Sequence, residues 1–233
     1  MRKGTDLNPE VLFEDNHLIV INKQAMIATM GAEPGTISLA EEVKLYLKKK
    51  FSKPGNVYLG IVSRLDSFVT GVIVFARTSK AAGRLAEEFR SGRASKIYWA
   101  LVERNPPLEP CGELQHEIYK DDQKRRMFAV DHAPAHSKSQ SARLRYKIVA
   151  ECKDLRLLEI ELLTGRKHQI RAQLAAMGLP IMGDRKYGSQ VGFPKGIALH
   201  SRSLQIVHPT QKERMLFQAN VPKYWKIDQL AIK

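Results

Sequence analysis

The sequence predicts an α+β fold, with a mixed, mainly antiparallel central sheet flanked by helices and loops. Segments rich in strand-forming residues outnumber the helical segments, and the two kinds do not alternate in the regular order of a doubly wound parallel sheet. A length of 233 residues, 43% of them hydrophobic, allows a substantial core.

Two helices are marked by their ends. Residues 38–41 (SLAE) have the spacing of a capping box, in which the Ser and Glu side chains satisfy each other's backbone amides. The helix that follows is expected to end in the lysines at 48–50, because cations stabilise the negative end of the helix dipole. Thr78 or Ser79 is expected to cap the second helix, which ends before Gly92.

Strands are predicted at 17–22, where the sequence is HLIVIN, and at 97–102, where it is IYWALV. Residues 158–162 alternate leucine or isoleucine with glutamate, which is the period of a half-buried strand. A third helix is expected to begin near Thr164 and to end at Gly178.

Residues 104–141 differ in composition from the sequence around them. They contain prolines at 106, 107 and 110, an acidic pair at 121–122 and a basic run at 124–126. We interpret this region as strands joined by long, exposed, partly basic loops that are suited to gripping a ligand.

The charge of the chain indicates its partner. The net charge is +14, from 38 basic and 24 acidic residues. Lysine and arginine neutralise phosphates and release condensed counterions, so RNA or DNA is the expected partner. An anionic membrane surface is the competing partner, but no membrane role is expected, because no apolar run approaches the ~20 residues of a spanning helix and the N-terminus lacks a signal-peptide pattern.

The cysteine content favours a reduced, cytoplasmic setting. The two cysteines, Cys111 and Cys152, have no metal-ligand spacing and form no disulfide framework.

Two polar clusters lie within apolar sequence, far apart in the chain. The first, at 63–71 (SRLDSFVTG), carries Asp66 two positions after Arg64. The second, at 163–171 (LTGRKHQIR), is rich in basic and amide side chains. A turn cap or a solvated face explains either cluster alone. Together they indicate one site assembled from distant segments.

These segments resemble the RluA-type pseudouridine synthases. The central motif of that family, approximately HRLDxxTSG, corresponds to residues 63–71, and its KxYxA motif corresponds to 96–100 (KIYWA). Its TGRxHQIR segment corresponds to 164–171 (TGRKHQIR). Further matches are 178–188 (GLPIMGDRKYG), 199–204 (LHSRSL) and the pair His208 and Pro209.

The resemblance covers roughly residues 10–222, and it implies one catalytic domain over that range with terminal extensions at 1–9 and 223–233. It also implies a basic cleft that binds RNA. The S4-like RNA-binding domain that many relatives carry at the N-terminus is not expected, because residues 1–9 are too few to form it.

The resemblance implies three catalytic residues for the isomerisation of uridine to pseudouridine. Asp66 would be the nucleophile or the group that stabilises positive charge at C1′. Arg171 would pair with Asp66 and keep it ionised, the alternative being a structural ion pair away from any ligand. Tyr98 would stack on uracil and assist proton transfer, the alternative being an ordinary core position. The reaction has no redox change and no external group, so neither a cofactor nor a metal is expected.

Substrate-binding roles are implied for Arg64, Ile170, Arg166, His168 and Lys96. Arg64 would fill the space that a flipped uridine leaves in the RNA. Ile170 would form an apolar wall against the base, or it would belong to the helix core. Arg166 and His168 would orient their loop or contact RNA.

The basic loops supply three candidates for contact with the RNA backbone, Arg125, Arg126 and Lys138. The expected partner is a structured tRNA or rRNA. No obligatory protein partner is expected, and the chain is expected to be a monomer.

Several positions depart from the family pattern. Ser63 stands where the family usually has His, and Val69 and Thr70 stand where it has Thr and Ser. Gln24 replaces a common Pro, and Gln173 replaces a His. These departures concern the geometry of the Asp66 loop and the choice of RNA.

The sequence therefore predicts an RNA pseudouridine synthase. A catalytically silent relative that binds and remodels RNA is the first alternative, and the presence of Asp66, Tyr98 and Arg171 argues against it. A generic basic nucleic-acid binder is the second, and the order of the motifs argues against that.

Overall fold

The structure, a computed structural model, describes residues 8–227 and 231–232. Its helices are α1 (Leu39–Lys50), α2 (Ser79–Arg90) and α3 (Gln169–Ala176), with short 3-10 helices at Arg185–Tyr187 and Lys223–Trp225. Its strands are β1 (Val11–Glu14), β2 (Leu18–Lys23), β3 (Gly60–Ile61), β4 (Thr70–Ala76), β5 (Ser95–Glu103), β6 (Cys111–Asp121), β7 (Arg126–Val130), β8 (Gln140–Glu151), β9 (Leu155–Leu162), β10 (Leu199–Val207), β11 (Arg214–Gln218) and β12 (Ala231–Ile232).

The described chain forms two compact units. The first unit contains residues up to 95 together with 201–220, and the second contains 96–200 together with the described residues from 221 onwards. Both units combine strands with helices, and the strand pairs described in the next paragraphs as antiparallel make up most of each sheet. The α+β prediction is confirmed.

In the first unit the strand order is β1-β2-β4-β10-β11, with β3 paired to the end of β4. The β1–β2, β2–β4, β3–β4 and β10–β11 pairs are antiparallel. Every residue of β4 is buried, because helices cover both faces of this sheet. Ile73 and Phe75 pack in the cluster that includes α1, and Val72 and Val74 pack in the cluster that includes α2, as the alternation of side chains along a strand requires.

Both predicted capping sites are present. The hydroxyl of Ser38 accepts a hydrogen bond from the Glu41 amide at 3.3 Å, and the Glu41 carboxylate accepts one from the Ser38 amide at 2.8 Å. Of the two candidates for the second helix, Thr78 is the cap, because its hydroxyl accepts a hydrogen bond from the Ala81 amide. Gly92, with φ of +71°, follows the end of α2.

In the second unit the strand order is β5-β9-β8-β6-β7, and β12 pairs with β8. All of these neighbouring pairs are antiparallel. The strands predicted at 97–102 and 158–162 lie within β5 and β9, and Leu158 and Ile160 are fully buried. On one side of the sheet, Ala172 of α3 joins a core cluster with Ile118, Ala129, Ala142 and Tyr187.

The third helix begins later than the sequence predicts. It starts at Gln169, five residues after Thr164, and Met177 caps its end. The amide oxygen of Gln169 accepts hydrogen bonds from the Thr164 hydroxyl at 2.8 Å and from the Arg166 amide at 3.0 Å. These bonds hold the preceding residues as a turn, and His168 takes a left-handed φ of +52° directly before the helix.

The expectation for residues 104–141 is partly wrong. The strands β6 and β7 are joined by a tight connection, 122–125, which the sequence analysis took for a long loop. Longer exposed connections do occur at 104–110 and 131–139. The pairing of Asp121 with Arg126 closes the hairpin.

The prediction that residues 10–222 act as one catalytic domain stays a prediction. Residues 223–227 and 231–232, within the predicted C-terminal extension, contribute a 3-10 helix and β12. Within the described part of the chain, no helix is long and apolar enough to cross a membrane.

Candidate active site

Asp66 lies in the turn that leads into β4, in the first unit. The side chain is half-buried, and the Asp66 carbonyl accepts a hydrogen bond from the Val69 amide at 3.1 Å. Leu65, the residue before Asp66, is fixed by the hydroxyl of Thr29, which donates to the Leu65 carbonyl at 2.8 Å and accepts from the Leu65 amide at 3.2 Å. The backbone is thus fixed on both sides of Asp66.

Lys23, at the end of β2, binds the backbone of the Asp66 turn. It is fully buried, and its ammonium donates to the carbonyls of Gln24 at 3.0 Å, Ser67 at 3.1 Å and Val69 at 2.7 Å. Burial lowers the pKa of Lys23 from 10.5 to about 7, and the negative charge of Asp66 opposes part of that shift. Lys23 was not predicted to be a site residue. The feature of the sequence that could have identified it is its position: Lys23 is the last residue of a strand whose preceding residues are nearly all apolar, and such a strand is buried on both faces.

Gly71 fixes the other end of the turn. Its φ is +107°, which favours glycine, and a Cβ at this position would clash with the backbone carbonyl of Ser201 in β10. The glycine of the central motif is therefore required by backbone conformation and by the close approach of the next strand.

Val69 and Thr70, which depart from the family pattern, lie in the core. Both side chains are buried, at 2% and 1% exposure, so they contribute to the core beneath the turn. Arg64, two residues before Asp66, is exposed, as a residue that contacts RNA must be. Its base-flipping role stays a prediction.

In the second unit, Arg171 forms a buried bidentate ion pair with Asp184. Its Nε and Nη2 atoms donate to the two carboxylate oxygens at 2.6 and 2.8 Å. The guanidinium carbon also lies 4.8 Å from the centre of the Tyr187 ring. Asp184 was not selected from the sequence, although it lies in the matched segment at 178–188. The predicted pairing of Arg171 with Asp66 stays a prediction.

The residues before and within α3 mainly organise that helix. Arg166 donates from Nε to the carbonyl of Ser141 at 3.0 Å, and His168 Nδ1 lies 2.9 Å from the hydroxyl of Tyr187. These contacts favour the loop-orienting alternative for both residues. Ile170 is 4% exposed, which favours the helix-core alternative.

Gln173, which departs from the family pattern, joins three elements of the second unit. It is fully buried, and its amide nitrogen donates to the carbonyls of Leu114 and Ala142, each at 3.3 Å, and lies 3.1 Å from His116 Nδ1. It therefore ties α3 to β6 and β8.

Tyr98 and Lys96 are both half-buried in β5. Tyr98 is paired in register with Ile160 of β9, and the two-residue period of the strand places Lys96 on the same face. Burial lowers the pKa of Lys96. The catalytic role of Tyr98 and the binding role of Lys96 stay predictions.

The three candidates for backbone contact differ in their surroundings. Arg125 is exposed in the hairpin turn with a φ of +49°, and Lys138 is exposed in the connection before β8. Arg126 is instead held in place. Its Nη1 donates to the Lys186 carbonyl at 3.1 Å, and its guanidinium lies 4.2 Å from the ring centre of Phe128. Arg125 and Lys138 are better placed than Arg126 for contact with phosphate.

The fold and the sequence motifs indicate the class of protein. An α+β fold built from antiparallel strand pairs, with the motifs at 63–71, 96–100 and 164–171, is that of a pseudouridine synthase, an isomerase that acts on RNA.

Comparison with known proteins agrees with this class. The model of the RNA pseudouridylate synthase family matches residues 17–176. The ribosomal large subunit pseudouridine synthase D of Zymomonas mobilis is 29% identical over 230 residues, which cover 94% of this chain and 71% of that protein. The uncharacterised RNA pseudouridine synthase YhcT of Bacillus subtilis is 34% identical over 218 residues, which cover 91% of this chain and 68% of that protein.

The fold is shared with a solved structure. Human RNA pseudouridylate synthase domain containing 4 superposes with a TM-score of 0.75 at 24% identity, over 93% of this chain and 90% of that one. The chain belongs to the RNA pseudouridylate synthase family, and it is an RNA isomerase.

Proposed function

We propose that the chain isomerises a uridine in a structured ribosomal RNA, with Asp66 as the acting carboxylate. Family membership supplies the reaction. The choice of ribosomal RNA over tRNA is supported by relatives at 28–29% identity whose names refer to the large ribosomal subunit. The cytoplasmic location and the monomeric state stay predictions.

The proposed reaction breaks the bond between C1′ and N1 of uridine, rotates the uracil and joins C1′ to C5. C5 loses a proton and N1 gains one, so atoms and electrons balance without an external reactant. Attack of the carboxylate at C1′, its addition at C6 and a glycal route all require an ionised carboxylate beside the nucleoside. Asp66 fills that requirement in each case.

The observation that carries the proposal is the construction of the Asp66 turn. Lys23 binds three backbone carbonyls around it, Thr29 fixes Leu65, and Gly71 allows the close approach of β10. A residue that only caps a turn does not require a buried lysine and several hydrogen bonds to fix the backbone around it. This construction suits a carboxylate whose position must be held to a fraction of an ångström.

Arg171 and Tyr98 are proposed to serve the same reaction. The bidentate pair with Asp184 fixes the plane of the Arg171 guanidinium, so its remaining N–H groups point in defined directions. Tyr98 is half-buried, which leaves part of its ring accessible for stacking.

The test uses RNA labelled with tritium at C5 of uridine, because formation of the C1′–C5 bond releases the label. Asp66→Asn is expected to abolish release under single-turnover conditions and to leave RNA affinity within about threefold, since it removes the charge but keeps the shape. Asp66→Glu is expected to fail as well, because one methylene displaces the carboxylate by about 1 Å. Asp131→Asn, at an exposed position, is the control. Release by Asp66→Asn at the wild-type rate would refute the catalytic assignment.

A second measurement tests the substrate. Pseudouridines are mapped in the cellular RNA of strains with and without the gene, and the loss of a site in ribosomal RNA is expected. Loss of a tRNA site would replace the proposed substrate. An unchanged map, together with tight RNA binding, would support the catalytically silent alternative.

A further inference from the structure

A second concave site lies in the first unit, and none of its lining residues belongs to the Asp66 turn. It is a cleft of about 400 Å³ between α2 and the turn that joins β10 to β11. This volume lies within the roughly 300–1,000 Å³ of typical ligand sites.

The walls of the cleft are tied together by two hydrogen bonds. Glu88 of α2 is buried, and its carboxylate accepts from the Val207 amide at 2.6 Å. Arg84 of α2 donates from Nη1 to the Pro209 carbonyl at 2.6 Å. Because both bonds join the helix to the turn, the cleft is formed before any ligand binds.

The charges around the cleft favour an anion. Arg84, Arg93 and Lys212 line it, and the last two are exposed. Of the two lining carboxylates, Glu88 is engaged by the Val207 amide, and Glu87 forms an ion pair with Arg90, the next basic residue of α2. Three cations and two carboxylates therefore line the cleft, which gives the lining a formal net charge of +1, and the exposed side chains of Arg93 and Lys212 are accessible to a ligand.

Gly83 leaves the α2 side of the cleft without a side chain. It lies in the interior of α2, where glycine disfavours the helix. A Cβ added at this position would meet nothing within 4 Å, so packing does not require a glycine. The missing side chain leaves space directly on the lining of the cleft.

We propose that this cleft binds the sugar–phosphate backbone of the substrate RNA, away from the reacting uridine. The inference rests on the proposed function for the identity of the polyanion. Phosphodiester groups match the exposed cations, and a net charge of +14 draws the same ligand to the surface. A free phosphate or a mononucleotide has the same chemistry, and the experiment separates these sources.

The test compares two double variants that lose equal charge. Arg93→Ala with Lys212→Ala is expected to weaken RNA binding about tenfold and to flatten the log–log salt dependence by roughly 0.7–0.9 per lost contact. Lys53→Ala with Lys80→Ala, at exposed positions outside the cleft, is expected to change affinity less than threefold. Equal losses in the two double variants would show a general charge effect and would overturn the proposal.

A steric variant supplies an independent test. Gly83→Gln places an uncharged chain in the cleft and is expected to weaken RNA binding severalfold, whereas Gly83→Ala is expected to keep the wild-type affinity. Wild-type affinity in Gly83→Gln, with folding confirmed by circular dichroism, would overturn the proposal.

The last measurements identify the ligand and separate this inference from the proposed function. Inorganic phosphate and uridine monophosphate are titrated calorimetrically into the wild type and the Arg93, Lys212 double variant. Saturable micromolar binding that the double variant loses, with RNA affinity unchanged, would assign the cleft to a small anion instead. An inactive wild type would refute the proposed function, whereas unchanged RNA affinity in the cleft variants beside an active wild type would refute the cleft alone.

Discussion

The ammonium nitrogen of Lys23 lies 2.7 Å from the carbonyl oxygen of Val69, across the turn that carries Asp66. Three backbone carbonyls hold this buried ammonium. The negative charge of Asp66 acts on it through space. Lys23 is therefore a positioning residue. Its protonation state determines how many N–H groups it can donate to the carbonyls of the Asp66 turn.

Lys23→Met is expected to lower the free energy of unfolding by about 1–3 kcal/mol, because carbonyls that lose their donor remain buried. It is also expected to lower kcat more than it raises KM, since the turn loosens around Asp66. Urea denaturation and single-turnover assays measure the two effects. Lys48→Met, at an exposed position of α1, is the control. A kcat equal to that of the control would exclude the positioning role.

The lowered pKa of Lys23 gives a pH dependence with a definite sign. Between about 7, the folded pKa, and 10.5, the ordinary value, the unfolded chain binds more protons than the folded chain. Stability therefore rises with pH over this window, by up to about 1.4 kcal/mol per pH unit, and the gain is lost as the pH falls through 7. The difference in unfolding free energy between wild type and Lys23→Met is expected to grow from pH 7 to pH 10. A difference independent of pH would contradict the burial of a titrating lysine.

The Arg171–Asp184 pair is expected to be costly to break. Both side chains are almost fully buried, and Asp184→Asn leaves the guanidinium without its counter-charge, at a cost of about 3–5 kcal/mol. The comparison is Glu113→Gln, which breaks the exposed pairs of Arg143 and Arg145 and is expected to leave the urea midpoint unchanged. Similar midpoints for the two variants would show that the buried pair contributes nothing to folding.

The neighbouring arginines of the β6–β7 hairpin are expected to separate into two roles. Arg125→Ala should flatten the salt dependence of RNA binding by roughly 0.7–0.9 on a log–log plot, without changing the melting temperature. Arg126→Ala should lower the melting temperature, because it removes the hydrogen bond to Lys186 and the stacking on Phe128. The reverse assignment of the two effects would show that Arg126 is the phosphate contact.

Arg64 is expected to act in base flipping. Arg64→Ala should reduce activity strongly on a stem-loop, where an unfilled stack raises the cost of extruding the uridine, and weakly on an unstructured strand with the same sequence. Arg64→Lys should rescue poorly, because an ammonium cannot stack between bases. Equal losses on both substrates, together with a lowered melting temperature without RNA, would identify Arg64 as a structural residue of the turn.

Local signals predicted the first two helices well, and side-chain contacts explain where the sequence analysis failed. The capping box and the Thr78 cap act over three residues, so their spacing alone identifies them. The start of α3 depends on Gln169, which also donates to the carbonyl of Arg143, a residue of β8 distant in sequence. No local pattern reports such a bond.

In the candidate site, too, features set by neighbouring residues were predicted, whereas contacts between residues distant in sequence were not. Asp66 and Gly71 stand in one short motif, so the sequence alone indicates their turn, and the catalytic role of Asp66 stays a prediction. Lys23 and Asp184 were not predicted, because Val69 lies 46 residues from Lys23 and Arg171 lies 13 residues from Asp184. A charged side chain is also expected at the surface unless its burial is known. The stacking of Arg126 on Phe128 depends on strand pairing, which the sequence does not show, and its contact with phosphate stays a prediction.

Two glycines of the first unit have opposite consequences for the tolerance of this protein to mutation. Any replacement of Gly71 must fit a side chain against the Ser201 carbonyl in a backbone conformation that other residues avoid, so every missense change of that codon should be lost under selection for activity. Gly83 faces open space in a helix, so drift there is limited by ligand binding and not by folding. The spectrum of substitutions that survive at position 83 in a saturation library would therefore outline the occupant of the cleft.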